Sequence, residues 1–172
     1  MKLELKNIKH TSWASEETHC YQASLYVDGK PVAIVSNDGR GGADRDYRHP
    51  TFKEESEASG VQPYAFGYRA KMAEVHEYFD GLPPSPFSYE GADGVMIHDS
   101  LPQTLEFWCC DQVNDWLSAR ELKSKLKKEF LFQFADKVGV FAHKTRPSRA
   151  HKATILNDLP FDEALAIWKA TA

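Results

Sequence analysis

Cysteine is scarce, with three in 172 residues. Cys20 stands alone, while Cys109 and Cys110 are neighbours. An odd number that includes an adjacent pair suits no disulfide framework, because bridge geometry is specific. No C-x-x-C pair exists to start a tetrahedral metal site. Reduced thiols in a reducing compartment follow, with His19 and Cys20 on opposite faces of an extended segment rather than paired for catalysis. Long apolar runs are missing too. No window approaches the roughly 18 residues needed to span a bilayer, and Met1-Lys2-Leu3-Glu4-Leu5-Lys6 lacks the apolar stretch of a signal peptide. The expectation is a soluble protein in the cytoplasm of its cell, with no membrane partner.

Catalytic signatures are also absent. There is no G-x-S-x-G, no H-E-x-x-H, no P-loop and no G-x-G-x-x-G. The pairs Glu16-Glu17 and Glu54-Glu55 diverge, a poor geometry for acid–base work. Asp38, Asp44 and Asp46 are interleaved with arginines instead of following a calcium-loop pattern. No metal and no cofactor are predicted. The chain reads as a binder more than as an enzyme.

What is present is a globular composition: 42% apolar residues, 10 Phe, 7 Tyr and 4 Trp. Its length suits one domain over 1–172, with a β-rich part at 1–50, a helical part at 66–129, and a hairpin plus C-terminal helix at 130–172. Leu3, Leu5 and Ile8 give the period-2 pattern of a half-buried strand. Tyr21, Ala23, Leu25 and Val27 form the inward face of a second strand, which turns at Asp28-Gly29 into Pro31–Ser36. Helical spacing follows in Tyr68, Met72, Val75 and Phe79. The segment Ser85–Asp99 reads as loop, with Gly91 and Gly94 as breakers. Ser100-Leu101-Pro102-Gln103 resembles a capping box opening a helix, which either continues or kinks near Ser118 into Glu121–Glu129. Phe130–Phe134 and Val138–Ala142 predict a second hairpin. Asp158-Leu159-Pro160 caps a last helix with Phe161, Ala164, Leu165 and Trp168 inward. The fold class is α+β, an antiparallel sheet built from two hairpins with about four helices packed against it.

The net charge of −4 conceals a split. Residues 120–152 carry ten basic and three acidic side chains, +7, leaving −11 on the remainder. Lys123, Lys127, Lys128, Lys144, Arg146, Arg149 and Lys152 form a candidate basic contact surface for a protein or nucleic acid. A second candidate is the long glycine-bearing loop after the third strand. There Asn37, Asp38, Arg40, Arg45, Tyr47, Arg48 and His49 could bind an anion or ligand, the arginines clamping phosphates and the tyrosine stacking on a base. Trp13, in a turn-like context, is a further candidate interface anchor.

The string Ser15-Glu16-Glu17-Thr18-His19-Cys20-Tyr21, running through Asp28-Gly29-Lys30 to Ser36-Asn37-Asp38-Gly39 and Gly41-Gly42, and the ending Leu159-Pro160-Phe161-Asp162-Glu163-Ala164-Leu165, carry a resemblance. They resemble small proteins encoded by bacteriophages and prophages of Gram-negative bacteria. The resemblance covers both ends, about 60 residues, and transfers no catalytic residue. It implies a phage accessory protein that binds and inhibits a host protein, such as an antiviral defence factor. Sequestration of a nucleotide or other phosphorylated small molecule, and nucleic-acid binding through 120–152, are the alternatives.

Overall fold

A computed structural model describes residues 1–52, 66–90, 94–146 and 153–171. Four strands, β1 (Leu3–His10), β2 (Cys20–Val27), β3 (Lys30–Asp38) and β4 (Arg45–Arg48), form one antiparallel sheet in sequence order. The Asp28-Gly29 turn works as the sequence predicts. Both residues take positive φ (48° and 80°), which joins β2 to β3 tightly. Register pairs Tyr21 with Asn37, Ala23 with Val35 and Leu25 with Ala33. That puts the apolar residues of both strands on one face, where Leu25 and Ala33 are fully buried.

Two helices bring their apolar stripes to this part of the chain. α1 (Phe66–Asp80) buries Met72, Val75 and Phe79, the predicted stripe, and α2 (Leu105–Leu126) buries Leu105, Cys109 and Val113. The Phe79 and Trp108 rings lie 6.4 Å apart and link the two helices. By compactness the chain divides into one unit of Met1–Val113 and a second of Asn114–Ala172, and the division falls inside α2.

The second unit has its own sheet and core. β7 (Phe130–Phe134) lies between β8 (Phe141–His143) and β9 (Ala153–Ile155), all antiparallel. Leu122, Leu131, Leu156 and Ala164 are buried together, and Phe161, Leu165 and Trp168 of α3 (Phe161–Thr171) pack against them. The predicted C-terminal stripe is the observed one. Asn157 ties the unit together. Its amide donates to the Leu126 and Glu129 carbonyls, at 3.1 and 3.0 Å, and its oxygen accepts the Leu131 N–H at 2.8 Å. Carbonyls left over at the end of α2 are satisfied in this way.

Three expectations need correction. Ser85–Asp99 is not loop: β5 (Ser85–Glu90) and β6 (Met96–Leu101) form an antiparallel hairpin whose residues are nearly all exposed. The helix does not open at Ser100, because β6 runs to Leu101; Thr104 caps α2 instead, its hydroxyl accepting the Phe107 N–H at 3.1 Å. Of the two courses open at Ser118, α2 takes the continuous one and runs for 22 residues. Lastly, there are three α-helices among the described residues rather than four, and the hairpin at Phe130 gains a third strand, β9. No helix among the described residues is long and apolar enough to cross a membrane.

Candidate functional site

The loop after β3 is closed upon itself. Asn37 Oδ1 accepts the Thr18 hydroxyl and the Gly39 N–H, each at 2.8 Å. Its Nδ2 donates to Gly42 O at 2.8 Å and to Asp44 Oδ1 at 2.9 Å. The Gly39 carbonyl accepts N–H groups from Glu16, Glu17 and Thr18. The N–H groups of Arg40 and Gly41 go to the Asp38 carboxylate and the Thr18 hydroxyl. A phosphate nest needs successive N–H groups pointing at open space, and here they point at the chain's own oxygens.

The three arginines do not converge either. Arg45 pairs with Asp38 at 3.2 Å, and Arg48 reaches the Phe52 carbonyl at 3.1 Å. Standing three residues apart on β4, they face opposite sides of the sheet. Arg40 is exposed, and Tyr47 is about half exposed (55%). His49 Nδ1 is engaged by the Thr51 hydroxyl at 2.8 Å.

Behind the loop, polar groups collect where the sheet meets the helices. The Tyr21 hydroxyl donates to Asp44, and the buried Cys109 thiol lies in hydrogen-bond reach of Tyr21. Burial and the Asp44 carboxylate push the Cys109 thiol up to about 12. Burial, Cys109 and Asp44 push the Tyr21 phenol well above its usual range. Burial and Asp46 do the same for Tyr68. A hollow of about 170 Å³ opens beside them, lined by Asp44, Asp46, His76 and Glu106 among others. A thiol that stays protonated is not a nucleophile, so Cys109 serves packing. On treatment of the native chain with iodoacetamide, exposed Cys110 should therefore label first and Cys109 only on unfolding, as peptide mass spectrometry will show. All three raised groups hold their protons in the folded chain to higher pH than in the unfolded one. Stability is thus retained below pH 9 and falls as pH climbs toward 12, by roughly 1 kcal/mol per pH unit for Cys109.

The basic candidates are better placed. Trp116, Ala119, Arg120, Lys123 and Ser124 on the second half of α2, with Lys127 and Lys128 in the turn just after it, line a groove of about 410 Å³. The α2 residues among them have the three- and four-residue spacing of a single helical face. None of these lining residues is acidic. Two of the nearby carboxylates have partners of their own, Glu121 with Lys125 on the same helix at 3.3 Å and Asp115 with Lys169 of α3. Arg120 lies over the Trp116 ring, 5.3 Å from its centre, and Lys123 over Phe161 at 4.8 Å.

Lys123, Lys127 and Lys128 are therefore brought together. Arg146 is not among them: it pairs with Asp158 and lies near the Phe130 ring. Lys144 is exposed and does not line the groove. Arg149 and Lys152 lie outside the described residues. Trp116 and Arg120 complete the groove but escaped the sequence-based list of contact residues. The signal was their i, i+4 spacing ahead of Lys123, legible only with α2 continuous through Ser118. Trp13 is exposed (88%) on a short 3-10 turn.

Among the described residues no cluster of His, Cys, Asp and Glu is arranged to hold a metal ion. Comparison with known protein families, curated proteins and solved structures finds no match.

Proposed function

We propose that this chain is a phage accessory protein that acts by binding, engaging and inhibiting a host protein through the basic face of α2. The observation that carries this reading is the groove itself: four cations and a tryptophan along α2 and the turn that follows it, with no acidic residue among those that line it. Unpaired like charges held this close repel one another, at a cost of some tenths of a kcal/mol per pair. An anionic partner removes that repulsion. Full-length tagged protein incubated in lysate of a Gram-negative host should retain one partner stoichiometrically, and its expression should weaken restriction of phage growth. Retention of nothing, together with unchanged restriction, would sink the proposal.

Sequestration of a phosphorylated small molecule at Arg40, Arg45, Tyr47 and Arg48 has less support, because the loop's N–H groups are already bonded and Arg45 and Arg48 diverge.

A further inference from the structure

Resting on the reading of α2 as the contact face, we infer that the groove receives an acidic peptide segment of the partner protein, carboxylates spaced about one helical turn apart. Charge is the first argument. Arg120, Lys123, Lys127 and Lys128 present a group of donors with no carboxylate among the lining residues, which an acidic partner segment complements. Spacing is the second. Arg120 and Lys123 stand about one turn apart on α2, and the adjacent Lys127 and Lys128 follow in the turn just past its end at Leu126. A partner helix with Asp or Glu about one turn apart sets carboxylates opposite Arg120, Lys123 and the Lys127–Lys128 pair, the helix-in-groove mode of recognition. Ala119 and Ser124 are small, which lets a second backbone approach closely.

A nucleic-acid strand fits the groove less well. Base stacking needs an open aromatic face, and Arg120 already covers one face of Trp116. The chain's overall charge of −4 also gives no long-range attraction for an extended polyanion.

The test uses the full chain and a fluorescein-labelled alanine-based peptide of about 16 residues, with Glu at alternating intervals of three and four. Its probes include the matching Gln peptide and a short oligothymidylate. By fluorescence anisotropy the Glu peptide should bind and the Gln peptide should not. Lys127→Glu with Lys128→Glu should weaken binding about tenfold. Lys137→Glu, which makes half that charge change at the β7–β8 turn, should leave it unaltered. Absence of Glu-peptide binding, an equal loss with Lys137→Glu, or tighter binding of oligothymidylate would each overturn the inference. Host-lysate capture separates the two levels of the argument. A partner lost on the Lys127→Glu, Lys128→Glu double substitution without Glu-peptide binding overturns only the acidic segment. A partner retained by that variant overturns the α2 face as well.

Discussion

Gly39→Ala should destabilise the fold by about 4 kcal/mol or more, placing it among the severe single substitutions. Gly39 sits at φ +85°, and an added Cβ would fall 2.0 Å from the Ala14 carbonyl oxygen and 2.9 Å from Cys20 Cβ. Neither obstacle can swing aside. Ala14 belongs to the short turn leading into β2, and three N–H groups just after it are bonded to the Gly39 carbonyl. Relief of the clash therefore breaks those hydrogen bonds, and beyond them the Asn37 bonds that close the loop. Gly29→Ala is the matched comparison. Its φ is +80°, yet nothing lies within 4 Å of the added carbon, so only the left-handed backbone penalty of about 1–2 kcal/mol applies. Urea unfolding followed by circular dichroism measures both variants; equal losses would show that the close approach to Ala14 is not what fixes Gly39.

Asn157→Ala should cost about 3 kcal/mol, because three backbone groups from two elements lose their partner at once. The informative companion is Asn157→Asp. An ionised aspartate still accepts the Leu131 N–H but turns negative charge toward the Leu126 and Glu129 carbonyls. The folded chain then favours the protonated acid, so that group's folded pKa lies above its unfolded value. Its contribution is present at low pH and is lost as pH rises through neutrality. Denaturation midpoints at pH 4 and pH 7 should show the Asp variant closer to the parent at the lower pH. A pH-independent difference would mean that Asn157 acts only by filling space.

Local chemistry made much of this architecture readable. Asp28-Gly29 specified a turn by backbone freedom alone, and the β2 and α3 stripes reported burial because their periods match their elements. The β5–β6 hairpin was hidden for the opposite reason. Its apolar residues, Tyr89, Met96, Ile97 and Leu101 among them, are exposed, and Pro86, Gly91 and Gly94 punctuate it as a loop would be punctuated. Ser100 and Gln103 have the spacing of a capping box, yet the pairing of Ser85 with Leu101 holds them in or beside a strand. At the candidate sites the distinction is range. Lys123, Lys127 and Lys128 were visible as a run. That the glycine loop is shut follows from Thr18, 19 residues before Asn37, and no local pattern announces a contact of that separation.

The boundary at Val113 also sorts charge. Residues 1–113 hold ten basic and eighteen acidic side chains, whereas residues 114–172 hold eleven and seven. Residues 114–172 by themselves carry a net +4, a local attraction for an anionic partner that the total of −4 conceals, and one that added salt weakens.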